Sequence, residues 1–254
     1  MIETIPLPAT NLRDIAVLLD IDGTILDLAP TPGAVVVPQS LRQTLTRLSR
    51  ATGGALALVS GRSLHDIDRL FAPLLLPAIG GHGAEIRLSP DEAIDTEHAQ
   101  VLDGDLRERL AELAVDAPGV LVEDKGYSLA LHYRLAPEQE GRVKQGVAAI
   151  KADWPKESIE VLPGKSVLEI KPAGVHKGAA IRELMQHEPF AGRRPIFIGD
   201  DVTDESAFAV MPEFNGMGFS VGRRASGTAH CFAAPSDVRH WLERLSGGDG
   251  TRRL

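Results

Sequence analysis

Ala16-Val17-Leu18-Leu19-Asp20-Ile21-Asp22-Gly23-Thr24 is a continuous apolar run that ends in two acids and a glycine. The apolar part is too short for a helix and shows no polar alternation, which is the pattern of a parallel strand buried on both faces. Such a strand delivers the residues after it to the carboxyl edge of its sheet, where open α/β sheets bind their ligands. Side chains two apart on an extended segment share a face, so Asp20 and Asp22 point into one crevice while Gly23 releases the chain into a turn. Two carboxylates placed this way repel, split their proton affinities, or hold a cation.

The same pattern recurs outward from this stretch. Residues 27–38 carry three prolines and a glycine, after which Leu41, Leu45 and Leu48 return at helical spacing across 40–50. Gly53-Gly54 ends that helix, and Ala55–Val59 reads as a second buried strand with Ser60-Gly61-Arg62 at its carboxyl end. Ser63 is placed to cap a short helix over 63–71. Pro77-Ala78-Ile79 is a third strand, leading into Gly80-Gly81-His82-Gly83, where glycines permit a sharp turn or close approach to a ligand. His82 and Gly83 are therefore candidate substrate contacts. The alternating order predicts an α/β fold, a doubly wound parallel-sheet (Rossmann-like) core.

The character changes at Ser89. Helices over 102–113 and 138–150 are interleaved with strand pairs, Val120–Glu123 with Tyr127–Arg134 and Ile159–Leu162 with Val167–Ile170. This predicts an α+β cap, residues 89–171, inserted between core segments 1–88 and 172–254. Alternation over 127–134 puts Tyr127, Leu129, Leu131 and Tyr133 on a packed face and Ser128, Ala130, His132 and Arg134 on a wet one. Glu123, Lys125, Arg134 and Glu169 then offer carboxylates and cations on an open sheet face, as a hydroxyl-rich ligand needs. Beyond the cap the doubly wound pattern resumes, with a helix from Lys177 to Gln186. The strand Pro195–Ile198 follows, with Gly199-Asp200-Asp201-Val202-Thr203-Asp204-Glu205 at its end. The glycine-rich, charged tail from Gly247 is expected to fray.

Composition narrows the chemistry. The chain has 254 residues, 43% of them hydrophobic, and a formal net charge of -8, so no overall positive field draws nucleic acid or an anionic membrane surface. Met1-Ile2-Glu3-Thr4-Ile5-Pro6 lacks the basic and apolar regions of a secretory signal, and no run has the roughly 20 apolar residues of a membrane span. The expectation is a soluble, cytoplasmic, monomeric protein. The single cysteine, Cys231, excludes an internal disulfide and is given no role.

Four places converge on the carboxyl edge of the sheet: Asp20 with Asp22, Ser60, Lys177 at a helix start, and the acids Asp200, Asp201 and Asp204. Carboxylates without a thiolate or a histidine pair favour a hard cation such as Mg²⁺, and a lysine and a hydroxyl beside it suit phosphoryl oxygens. Through Asp20-Ile21-Asp22-Gly23-Thr24, Ser60, Lys177 and Gly199-Asp200-Asp201, in that order, the chain resembles the haloacid dehalogenase superfamily of phosphotransferases. The resemblance implies that Asp20 attacks phosphorus and that Asp22 protonates the leaving oxygen and then activates water. It implies that Ser60 holds a phosphoryl oxygen and Lys177 neutralises developing charge. It further implies Mg²⁺ bound by Asp20, the Asp22 backbone carbonyl and either Asp200 or Asp201, with Asp204 orienting Lys177 or a water.

A finer resemblance is to the trehalose-6-phosphate phosphatase family. It is carried by Gly80–Glu85, Glu123-Asp124-Lys125-Gly126, Leu131-His132-Tyr133-Arg134, Glu169-Ile170-Lys171-Pro172 and Gly199–Glu205. It implies a lid over the disaccharide of trehalose 6-phosphate, with Glu123, Lys125, Arg134 and Glu169 on glucose hydroxyls; the shortness of the chain, without a synthase-like domain, leads to the expectation of a stand-alone phosphatase. Ile25 departs from the leucine that usually follows Gly-Thr and alters no reactive group. Sucrose phosphatases and phosphomannomutases are the competing enzyme readings. A sugar-phosphate sensor is the competing reading outside enzymes, although binding alone needs no second acid at Asp22.

Overall fold

The computed structural model describes residues 11–28, 35–95, 101–154, 159–164 and 166–247. The chain divides into two compact units, Met1–Thr96 with His176–Leu254, and Glu97–Val175.

The first unit is built on the opening stretch. Strand β1 is Ile15–Leu19, and all five of its residues are fully buried. Ile15, Val17 and Leu19 pack into one apolar cluster with helices α1 (Gln39–Ala51), α2 (Leu64–Phe71) and α7 (Pro235–Ser246). Ala16 and Leu18 face a second cluster, with helices α5 (Lys177–Leu184) and α6 (Glu205–Val210). A strand covered on both faces has no solvent side, which is why its sequence shows no alternation. On either side of β1 lie β2 (Leu56–Val59) and β9 (Arg194–Gly199), both parallel to it. The seven-stranded order is completed by β10 (Met217–Val221) and β11 (Thr228–Phe232) beyond β9, and by β3 (Ala78–Gly80) and β4 (Glu85–Arg87) beyond β2. All neighbours are parallel except β3 and β4. Strand β4 and the individual elements α6, β10, β11 and α7 were not anticipated from sequence, although residues 172–254 were assigned to the core. The tail from residue 248 lies outside the described residues.

The helix starts follow local rules. Ser63 accepts a hydrogen bond from the Asp66 amide and caps α2. His176 caps α5 in the same way, its Nδ1 accepting from the Ala179 amide at 3.1 Å. Lys177 is thereby fixed as the first residue of that helix.

The second unit is a four-stranded antiparallel sheet in the order β5 (Leu121–Asp124), β6 (Leu129–His132), β8 (Val167–Pro172), β7 (Ile159–Gly164). Helices α3 (Gly104–Val115) and α4 (Glu140–Asp153) bury Leu106, Leu110, Val143 and Val147 with Leu129, Leu131, Leu168 and Ile170. The ladder aligns Glu123 with Ala130 and Ala130 with Glu169, so these three share the face opposite the helices. One expectation is corrected there. Ser128 and Ala130, assigned to a wet face, are fully buried, and the Ser128 hydroxyl donates to Glu169 Oε1 at 2.7 Å. A buried hydroxyl with a carboxylate acceptor needs no water.

Candidate active site

The carboxyl ends of β1 and β9 are adjacent, and the Asp20 amide donates to the Ile198 carbonyl at 2.9 Å. This pairing brings together residues 157 and 27 positions apart in the chain. The Lys177 ammonium donates to Asp20 Oδ1 at 2.7 Å and to Asp204 Oδ1 at 2.6 Å. Asp20, Lys177 and Asp204 are all buried. The other Asp204 oxygen accepts from the Asp200 and Asp201 amides, at 2.9 and 3.0 Å. Asp204 is thus fully committed, to the lysine on one side and to the backbone of the acidic loop on the other.

Asp200 completes the group: ligand atoms of Asp20, Asp200 and Asp204 all lie within 4.8 Å of one another, close enough to hold a metal ion. Thr24 Oγ donates to Asp200 Oδ1 at 3.1 Å. Gly23 (φ +82°) leaves the room this requires, since a Cβ there would lie 2.2 Å from Asp200 Oδ2. Asp201, the other acid considered for a metal, is exposed, and its carboxylate accepts from the Val202 amide at the start of a 3-10 turn, Val202–Asp204.

Three carboxyl groups, two of them buried, lie together with one ammonium that bonds only two of them, which leaves excess negative charge, and the acids respond. Burial pushes the Asp20 carboxyl up, to about 8; Lys177 opposes this, while Asp204 and Asp200 add to it. Burial likewise raises Asp200, reinforced by Asp204. Burial alone would lower the Lys177 ammonium, but the two carboxylates outweigh it and hold the group above its ordinary value. A cation among these oxygens would favour their charged forms, so the donor set fits a hard divalent ion.

Ser60 is buried at the end of β2, its amide bonded to the Ile79 carbonyl and its hydroxyl accepting from the Arg62 amide at 3.2 Å. Arg62 grips both oxygens of Asp22, at 2.6 and 2.7 Å. His82 is beside Ser60, whose carbonyl accepts from its amide at 3.0 Å, and its ring fills the space over Gly61. Gly83 turns the chain beneath the His176 carbonyl. One residue escaped sequence reasoning. Arg223, after β10, donates Nε to the Asp200 carbonyl at 3.1 Å and Nη2 to Glu205 at 3.1 Å, so it ties down the acidic loop. A lone arginine after an unrecognised strand gave no signal of this.

In the second unit, Glu169 is the hub of the polar face. It accepts from Lys125 Nζ at 3.0 Å as well as from Ser128. Glu123 pairs with His132 at 2.8 Å. Arg134 lies exposed beyond the end of β6.

Comparison with known proteins bears on this geometry. A family model described as trehalose-phosphatase matches residues 18–236. A trehalose-6-phosphate phosphatase of Escherichia coli strain K12 is 40% identical over 227 residues, covering 89% of this chain and 85% of the relative. A probable trehalose-phosphate phosphatase of Sinorhizobium fredii is 45% identical over 219 residues, covering 84% and 80%. Among solved structures, the C-terminal domain of the Candida albicans trehalose-6-phosphate phosphatase superposes with a TM-score of 0.77 over 92% of each chain, at 20% identity, a likeness of fold.

Proposed function

The chain belongs to the trehalose-phosphatase family, and from that premise we propose that it hydrolyses trehalose 6-phosphate to trehalose and inorganic phosphate through an aspartyl phosphate on Asp20. The observation that carries the reading is the buried Lys177 bridge between Asp20 and Asp204. It fixes one Asp20 oxygen and supplies positive charge where a phosphoryl group would meet a carboxylate.

In this reading an Asp20 oxygen attacks phosphorus and the bond from phosphorus to the sugar oxygen breaks. Asp22 gives that oxygen its proton, then takes one from the water that attacks the phosphoenzyme and frees Asp20. Both Asp22 oxygens are held by Arg62, so the role requires the fork to open when substrate arrives. Ser60 donates its hydroxyl to a phosphoryl oxygen. Asp20, the Asp22 backbone carbonyl and Asp200 are the ligands assigned to Mg²⁺, because Asp204 is committed to Lys177 and Asp201 to the Val202 amide. When bound, the ion supplies the charge that lets an anionic carboxylate approach an anionic phosphate.

The inserted unit, read as residues 89–171, is assigned the sugar. Glu123, Lys125, Arg134 and Glu169 would receive glucose hydroxyls, and His82 and Gly83 are the candidate substrate contacts of the core unit. The Glu169–Lys125–Ser128 network supports this, because carboxylate and ammonium groups held together can exchange partners with hydroxyls without leaving a buried charge unpaired. The test is phosphate release from trehalose 6-phosphate beside sucrose 6-phosphate, mannose 6-phosphate and glucose 6-phosphate, with Mg²⁺ and with chelator. The disaccharide of trehalose is expected to be preferred by at least tenfold, with activity lost on chelation. Comparable rates on all four would remove the substrate assignment, and retention of the phosphoryl group on a bisphosphorylated sugar would favour a mutase.

A further inference from the structure

A second cluster of charge lies at the opposite edge of the same sheet. Arg13, Asp14, Glu188, Ala191, Gly192, Arg193 and Arg194 line a cavity of about 590 Å³ at the amino ends of β1 and β9. The site described above is at the carboxyl ends of the same strands. Five residues of β1 separate them, about 16 Å of extended chain, so one ligand cannot serve both.

Three guanidinium groups in one cavity are unusual in a chain of net charge -8. Two of them approach the same glycine. Arg13 Nη1 is 3.4 Å and Arg193 Nη2 3.6 Å from the point a Cβ on Gly53 would occupy. Arg193 is half-buried and gives one donor to the Thr52 carbonyl at the end of α1. Its Nη2 has no acceptor among the described residues. The Arg13 guanidinium has none either, and neither arginine forms an ion pair among those residues although Asp14 and Glu188 line the same cavity. Burial lowers the Arg193 guanidinium from its ordinary value; Glu188 opposes this, and the Arg13 charge adds to it. Like charges held together with unused donors favour a ligand that is both anionic and rich in acceptors.

We propose that this cavity is a binding site for a phosphoryl oxyanion, inorganic phosphate or a phosphate monoester, gripped by Arg13 and Arg193 with Arg194 at the entrance. The planar guanidinium fork matches two oxygens of such a group, and the cavity leaves room for an ester's organic part. Nothing in the site chemistry above is required for this binding.

The test uses the full chain labelled with ¹⁵N-arginine, following the side-chain Nε–H resonances. Inorganic phosphate is titrated in one arm and methylphosphonate, a monoester mimic that cannot be hydrolysed, in the other, against chloride at equal ionic strength. The Arg13 and Arg193 resonances are expected to shift saturably with phosphate or with the phosphonate, and not with chloride. Tighter saturation by the phosphonate identifies an ester site, and tighter saturation by phosphate a site for the free anion. Arg13→Gln should weaken binding about tenfold, a loss of about 1.4 kcal/mol, while the rate on p-nitrophenyl phosphate stays unchanged. Arg13 is exposed, so this variant is not expected to disturb folding. Shifts that do not saturate, that chloride reproduces, or that persist with the same affinity for Arg193 in Arg13→Gln would overturn the proposal.

Discussion

Replacing Lys177 by methionine removes a charge but keeps most of the side-chain volume. The ammonium lies 2.7 Å from Asp20 and 2.6 Å from Asp204, and the three side chains are 3%, 7% and 0% exposed. Removing one member of a buried ion pair costs roughly 3–5 kcal/mol, because the partner charge is left without compensation. For a chain of this size about 1 kcal/mol corresponds to 2–4 °C in Tm, so the metal-free variant should melt roughly 6–20 °C below wild type. Saturating Mg²⁺ should return the larger part of that loss, since a cation among the same carboxylates replaces the missing charge. Turnover should stay low, by about 10²–10³, because in the proposed mechanism the lysine acts on the phosphoryl group itself. Scanning calorimetry in chelator and in Mg²⁺ measures both terms. Arg87→Met is the control. Arg87 is a buried cation paired with Asp68 at 2.6 Å and bonded to the Leu76 carbonyl, far from the acidic cluster in the chain. Its loss should be the same with and without Mg²⁺. A metal-free loss for Lys177→Met below about 1 kcal/mol, or one that Mg²⁺ leaves untouched, would refute the account of the cluster.

Asp20→Asn should abolish steady-state turnover while the circular dichroism spectrum and urea midpoint stay close to wild type, because Lys177 keeps Asp204 as its partner and burial already pushes the Asp20 carboxyl up to about 8; residual turnover above about 1% of wild type would remove Asp20 as the attacking group. Glu169→Ala should lower kcat/KM on trehalose 6-phosphate by about tenfold or more and that on p-nitrophenyl phosphate by less than threefold, since its partners Lys125 and Ser128 belong to the unit to which sugar binding is proposed; equal losses would make Glu169 structural. The Asp124 carboxyl is held below its ordinary 3.8 by hydrogen bonds from the Arg107 side chain and the Gly126 amide. A folded value below the unfolded one stabilises above pH 3.8 and is lost as pH falls through the folded value. Arg107→Gln should therefore be less stable than wild type at pH 6, and the difference should close as pH falls below 3.8. A gap that widens on acidification would reverse the sign.

The sheet core was legible because its strands are buried on both faces. Runs such as 15–19 and 55–59 contain no polar residue to confuse the period, and the glycines and acids after them mark the edge. Strand β4 was not legible, having three residues, Glu85, Ile86 and Arg87, two of them charged. Arg87 reads as a loop residue until Asp68 and the Leu76 carbonyl are placed around it. The members of the candidate site were readable from residue type and order, and the resemblance directed Asp204 to Lys177 or a water, but the other partnerships were not readable. Nothing in Asp200-Asp201 says which carboxylate turns inward. That choice is made by Asp204, which takes both backbone amides and leaves Asp201 to bond the next amide along. The grip of Arg62 on both oxygens of Asp22 depends on the spacing of β1 and β2, which no local pattern encodes.

The position of β9 beside β1 also has a consequence for synthesis. Strand β1 leaves the ribosome well before the neighbour that covers one of its edges, which ends 180 residues later, at Gly199. At about 5–20 residues per second this is a wait of roughly ten to thirty-five seconds. Throughout it, an entirely apolar strand offers unpaired amides and carbonyls to any other nascent chain. The middle of the finished sheet is thus the most vulnerable edge of the unfinished one. Truncations ending before residue 194 are expected to aggregate even though they contain β1 to β4 complete, and a soluble, monomeric 1–190 fragment would contradict this.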